Sequence, residues 1–264
     1  MKLLVQGDDF GFTKGVTLGI IDGIDNGILR NTGLFANMPS AVLAAELMKG
    51  RDHACFGIDF NLVAGKPVSD PKEVPHLVDE NGDFIKSGVR IRDSRWQTEQ
   101  GRREMFPAEE VTKEIRAQYN RFIELTGKQP GYLHGHSISY ETYNEAIEEL
   151  SKETGIPYSM NFLKEKGAVF AGMHMSNASK NKTFDPFEQL NKDTKADVLR
   201  DKDLILSADL ALIIGHPGYM DADLINMTTL SIERVKDLAM MVDPEIKKFI
   251  EENNIELITY RDLL

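Results

Sequence analysis

Six side chains able to do acid–base or metal chemistry follow short apolar runs. Leu3-Leu4-Val5 leads through Gln6-Gly7 into adjacent Asp8 and Asp9. Asp59 stands inside Gly57-Ile58-Asp59-Phe60-Asn61, His134 and His136 inside YLHGHSISY, and His216 closes LALIIGHPGY. Carboxylates and imidazoles together suit a divalent cation such as zinc, and other metals as well. Three protein ligands with an open position leave room for an activated water. A further Asp could then be the general base, and a His on the far side could protonate a leaving group. His134 and His136 occupy alternate positions, so both face one way if the run is extended. Asp8 and Asp9 repel each other, more strongly if buried, so a metal, a histidine or water must answer them.

Each residue also has a plainer reading. An Asp after a strand is commonly a helix cap or turn residue. His216 precedes Pro217-Gly218 and could sit in a turn, and His134 or His136 alone would more often be structural. Asp59 is less ordinary, because an acid inside a buried strand must be paired. The joint pattern favours a site.

The elements that would gather these residues are short apolar runs alternating with helical periodicity. The strands expected are Lys2–Val5, Gly33–Asn37, Cys55–Asn61, Gly131–His134, Pro157–Met160, Leu210–Ile214 and Glu256–Thr259. Val16, Ile20, Ile24 and Ile28 recur every four residues, and Val111, Ile115, Tyr119 and Phe122 make a second such face. Tyr140–Thr154 and Thr229–Val242 read as further helices. Strand followed by helix implies parallel strands with crossover helices, and six or seven units imply an α/β barrel-like fold. Active sites of such barrels lie at the carboxyl ends of the strands, where all six residues fall.

The 264 residues fit one domain, 1–264, with long insertions around 63–107 and 161–203. A net charge of −11 argues against general nucleic-acid binding. With one cysteine, Cys55, no intrachain disulfide can form. No secretory apolar region opens the chain, and no apolar run approaches the roughly 18 residues of a membrane span. A cytoplasmic protein without membrane or nucleic-acid partners is expected, with a homodimer left open. No Rossmann fingerprint, P-loop or nucleophile elbow occurs. His53 and His76 read as solvated, and His174 as structural or substrate-facing.

The first insertion carries Arg90, Arg92, Arg95, Arg102 and Arg103, with the sole tryptophan, Trp96. Arginine forks suit phosphate or carboxylate, and Trp offers a sugar a stacking face. Arg92, Arg95 and Trp96 are therefore candidate contacts to a phosphorylated amino-sugar or oligosaccharide. Surface pairing with nearby acids is the competing reading.

VQGDDFGFTKGVTLGIIDGIDNGIL resembles the opening of the YdjC-like carbohydrate deacetylases, whose first strand ends in N-A-D-D-F-G. GIDFNLVAGKPV is similar to their G-I-H-x-x-L-T-x-G-x-P segment, and FIELTGKQPGYLHGHSISY to their T-H-L-D-S-H-H-H-V-H region. GHPGYMD resembles their late H-P-G segment and ELITYRDL their closing strand, so the likeness runs in order through most of the chain.

The resemblance implies a distorted (β/α) barrel of the NodB-like deacetylase/glycoside hydrolase type. It also implies a metal-dependent hydrolase that removes acetyl groups from N-acetylated sugars, with one divalent ion, zinc or magnesium. By position, Asp8 matches the catalytic base, Asp9 a metal ligand, His136 a ligand histidine and His216 the catalytic acid. Two positions depart: Asp59 replaces the family's histidine, and His134 replaces its Asp. Together they look like an exchange that keeps an Asp/His ligand set and brings Asp59 and His134 to one ion. The rival readings are a metal-free glycosidase using Asp8 and Asp59 and a sugar-binding barrel that has lost its metal.

Overall fold

The computed structural model describes residues 1–172 and 185–264. Seven parallel strands build its sheet: β1 (Lys2–Phe10), β2 (Asn31–Leu34), β3 (Cys55–Phe60), β4 (Leu133–Gly135), β5 (Val169–Phe170), β6 (Leu210–Gly215) and β7 (Glu256–Ile258). The order is β4-β3-β2-β1-β6-β5, with β7 also paired to β1. β1 is the axis. Its Lys2–Gly7 pairs with β6 throughout, while β7 takes Lys2–Leu4 and β2 takes over from Gln6. Two strands sharing one edge of β1 splay apart, which curls the sheet into an open, distorted α/β barrel.

Twelve α-helices surround the sheet among the described residues: α1 (Lys14–Asp25), α2 (Ala41–Leu47), α3 (Ser87–Arg92), α4 (Glu99–Met105), α5 (Ala108–Thr126), α6 (Glu141–Thr154), α7 (Ser159–Glu165), α8 (Thr194–Arg200), α9 (Lys202–Ser207), α10 (Ala222–Met227), α11 (Ile232–Val242) and α12 (Pro244–Glu252). The apolar faces read from the sequence are the buried ones. Val16, Ile20 and Ile24 of α1 and Val111, Ile115 and Phe122 of α5 pack into one core with Leu3, Val5 and Ile213 of the sheet. None of these helices is long and apolar enough to cross a membrane.

Pro157–Met160 is not a strand. Ser159 opens α7, and only Tyr158 makes a bridge, to Leu133. Pro157 has no N–H to donate to a ladder, though its carbonyl accepts from Leu133 N at 2.9 Å. The two-residue β5 beside β6 completes the seven, too short to leave a periodic signal. α2 and α12 were not expected either. α12 carries a recognisable start, since Asp243 caps it and Pro244 is its first residue. The insertion 63–107 contains α3 and α4 joined by a 3₁₀ turn at Ser94–Gln97.

Candidate active site

β1 runs five residues beyond its expected end, so Asp8 and Asp9 lie within the strand, not after it. Successive strand side chains point to opposite faces, which would separate the two carboxylates. A register break between Gly7 and Phe10 prevents this. Asp9 adopts φ 73°, a left-handed conformation that Asp tolerates better than most residues, and both carboxylates reach the same site. Asp9 N donates to Asp59 Oδ2 at 2.9 Å, which ties the bulge to β3.

Register carries the next two residues to the same place. Asp59 pairs with His134 across β3 and β4. Gly7 pairs with Gly215, which sets Asp8 beside His216. Asp8, Asp59 and His134 form a trio whose donor atoms all lie within 4.8 Å of one another, the one such group among the described residues. Asp59 is wholly buried, and Asp8 and His134 nearly so. His134 Nε2 is 3.6 Å from Asp8 Oδ2, and its Nδ1 is 2.6 Å from Ser159 Oγ. Tyr260 OH donates to Gln6 Oε1 at 2.6 Å, and Gln6 Nε2 donates to Asp8 Oδ1 at 2.7 Å. Asp59 Oδ2 accepts from Asp9 N, but its buried Oδ1 has no hydrogen-bond partner. That oxygen occupies the space a side chain at position 33 would fill: a Cβ on Gly33 would lie 1.7 Å from it.

Burial, then the charge of Asp8, pushes the Asp59 carboxyl up to about 7. Burial opposes charge on His134, but Asp8, with Asp59 and Asp9 behind it, raises it to about 9. Burial also works against the Asp8 carboxylate, yet His134 and His216 hold it below its usual value.

Asp9 has different company. Its Oδ2 accepts from Arg234 at 2.5 Å, and its Oδ1 lies 2.9 Å from His136 Nδ1, an ion-pair contact off hydrogen-bond geometry. Despite complete burial, His136 and Arg234 hold Asp9 well below the usual carboxylate range. Breaking a buried pair of this kind costs about 3–5 kcal/mol. The Arg234 guanidinium is also within 5.4 Å of the Phe12 ring centre. One turn further along α11, Asp237 Oδ2 accepts from His216 N at 2.9 Å, so one helix face braces both Asp9 and His216. A cleft of about 690 Å³ opens over Asp9, His136, His216 and Arg234. Asp8, Asp59 and His134 lie outside its lining.

The expected substrate residues divide. Arg92 lines the cleft, with Lys86. Arg95 turns to Asp93 at 2.7 Å and is exposed. Trp96 packs edge-on against Tyr140 and lines a separate hollow with Arg102 and Glu141. Arg90 is buried over Phe106, Arg102 pairs with Glu141, and Arg103 with Glu99 and Glu145. Pairing with acids thus accounts for much of the arginine cluster. His76 pairs with Glu110, and His174 lies outside the described residues.

Four contributors carried no usable signal in the sequence. Arg234 looks like a solvated charge on an amphipathic helix, as does Asp237. Ser159 sat in a run misread as a strand. Gly33 headed an expected strand, and its need for space appears only once β3 lies beside β2.

A curled parallel α/β sheet with carboxylates and histidines gathered at its carboxyl edge defines an open, distorted (β/α) barrel. The structure superimposes on a carbohydrate esterase of family 4 from Streptococcus mutans with TM-score 0.52, 11% identity and coverage of 98% of this chain and 85% of that one. It superimposes on an Enterococcus faecalis protein named for cellobiose-phosphate cleavage with TM-score 0.79, 22% identity and coverage of 99% and 98%. The YdjC-like protein model matches residues 2–252, and the chain belongs to the YdjC-like family. It is 32% identical to carbohydrate deacetylase 2 of Listeria innocua, over 100% of this chain and 99% of the relative. It is 27% identical to the chitooligosaccharide deacetylase of Proteus mirabilis, over 99% and 98%.

Proposed function

We propose that this chain is a metal-dependent carbohydrate deacetylase, a hydrolase that cleaves the acetamide C–N bond of an N-acetylated sugar. One observation carries the reading: a buried cluster of carboxylates and histidine lies directly behind a cleft presenting Asp9, His136 and His216. It lies in a chain whose full-length relatives are named carbohydrate deacetylases.

The residues fit a divalent cation. Asp59 Oδ1 is buried without a partner, Gly33 leaves the space it occupies, and the donors are carboxylate oxygen and imidazole nitrogen. Asp59 and His134 are the candidate ligands shared by the sequence and the geometry. The resemblance adds Asp9 and His136, and proximity adds Asp8. When bound, such an ion acidifies a water and polarises the acetyl carbonyl. Of the adjacent carboxylates, one binds the ion and the other accepts the proton of the attacking water; the resemblance gives these roles to Asp9 and Asp8 respectively. His216, braced by Asp237 and facing the cleft, donates a proton to the departing amine. Ser159 beside Nδ1 and Asp8 beside Nε2 fix the His134 ring.

We read an anionic group, as on a phosphorylated amino-sugar or oligosaccharide, into the outer cleft. Arg92 is the one arginine of the chain whose side chain has no hydrogen bond or ion pair among the described residues, and unpaired Lys86 lines the same cleft. Arg95 and Trp96 add less, given their present contacts. We read residues 1–264 as one catalytic unit of the cytoplasm, where buried Cys55 needs no oxidant. The glycosidase reading loses support, since Asp8 and Asp59 stand outside the cleft lining, where a scissile bond would have to lie between them.

The test is acetate release from N-acetylglucosamine oligosaccharides, with and without phosphate, after reconstitution with zinc or magnesium. Release should stop with a chelator, and His216→Asn should lower kcat by about 10²- to 10⁴-fold. Absence of release from every such sugar, or release that survives chelation, would contradict the reading.

A further inference from the structure

The two halves of the site differ in charge. Asp9 is already answered: Arg234 binds Oδ2, and His136 lies against Oδ1. The Arg234 guanidinium is buried, so its positive charge is poorly screened and repels a second cation on the same carboxylate. Asp8 and Asp59 have no lysine or arginine partner among the described residues. Two carboxylates share that pocket with the imidazole of His134, and His216 lies near Asp8 from the cleft side. The buried Oδ1 atoms of Asp9 and Asp59 both lack a hydrogen bond, but that of Asp9 has His136 Nδ1 at 2.9 Å, whereas that of Asp59 has no ion-pair contact among the described residues, the second sign of a missing ligand there. Ser159 occupies His134 Nδ1, which turns Nε2 toward Asp8 and leaves that nitrogen as the donor.

We propose that the two adjacent carboxylates have exchanged roles relative to the resemblance. Asp8, with Asp59 and His134, holds the cation, and Asp9, clamped between Arg234 and His136, is the carboxylate presented to the substrate. Arg234 is then a positioning residue that keeps Asp9 anionic and aimed at the cleft. The exchange of Asp59 and His134 explains the shift: with the imidazole on β4 and the carboxylate on β3, the convergence point moves from Asp9 toward Asp8. This inference rests on the deacetylase reading of the same cleft.

The experiment is calorimetric titration of zinc into the metal-free chain and into Asp8→Asn, His134→Gln, Asp9→Asn and His136→Gln, with folding checked by circular dichroism. One site is expected in the unsubstituted chain. Asp8→Asn and His134→Gln should weaken it by more than about 100-fold. Asp9→Asn and His136→Gln, as neighbours of the ligands, should cost less than that. Histidine ¹⁵N spectra of the unsubstituted chain give a check free of folding effects, because zinc should shift His134 strongly and His136 weakly. The reverse pattern in either measurement, or no zinc site, overturns the proposal. Acetate release is scored separately: chelator-sensitive release with the reverse pattern refutes the exchange alone. The expected pattern without release from any N-acetylated sugar supports the ligand set and counts against the deacetylase reading.

Discussion

Asp9 and Asp59 are joined by a single hydrogen bond, yet their carboxylates live in opposite conditions. Asp9 is pulled well below the ordinary carboxylate range by His136 and Arg234, against its burial. Asp59, equally buried, is pushed up to about 7 by that burial and by Asp8. The difference lies in what each neighbouring element supplies. α11 delivers an arginine to Asp9, whereas Asp59 receives an imidazole from β4 and a second acid from β1. A buried carboxylate with its own cation is complete as folded, and one without is a place for a ligand.

The comparison breaks most severely at Gly33. A Cβ there would fall 1.7 Å from Asp59 Oδ1, so Gly33→Ala must displace the carboxylate or β2. Overpacking of this kind costs about 1–3 kcal/mol. The expected outcome is loss of most metal affinity, read by titration, while the Asp9–Arg234 pair is kept. Unchanged affinity would mean that Asp59 is not a ligand.

A smaller effect appears in the pH dependence of the metal-free protein. Asp59 rises from 3.8 to about 7 on folding, and His134 from 6.5 to about 9. In both windows the folded chain binds more protons than the unfolded chain, so stability falls as pH rises. The His134 contribution is full below 6.5 and gone above about 9. The two groups titrate together, so thermal melts should show one decline between pH 5 and 9, by roughly several degrees. Zinc should flatten it, because the ion replaces the protons. Melting points that rise with pH in the chelated protein would contradict this picture of the pocket.

The smallest effect sharpens the contrast between the cleft and the arginine segment outside it. Arg92→Ala should raise KM for a phosphorylated sugar about 10-fold or more and leave KM for the neutral sugar unchanged. Arg95→Ala should change neither, since Arg95 is exposed and bound to Asp93. Equal effects of the two substitutions on both sugars would remove Arg92 from substrate recognition.

The gathering of these polar residues was legible in the sequence because each interrupts or ends an apolar run, and parallel strands carry such residues to one edge. Asp8, Asp9, Asp59, His134, His136 and His216 do meet there, across more than 200 residues of chain. What could not be read is how the carboxylates divide. That depends on the left-handed turn at Asp9, on Gly33 standing beside Asp59, and on Arg234 arriving from α11 with no local mark of its role. The arginine segment shows the opposite limit. Its composition suggests contacts to an anionic sugar, but Arg95, Arg102 and Arg103 pair with acids, and Arg92 is left to face the cleft.

Anomalous diffraction from crystals of the chain grown with zinc or manganese would locate the ion directly. The account predicts a single peak among Asp8, Asp59 and His134, with Arg234 still on Asp9. A peak between Asp9 and His136, with Arg234 displaced, would contradict it.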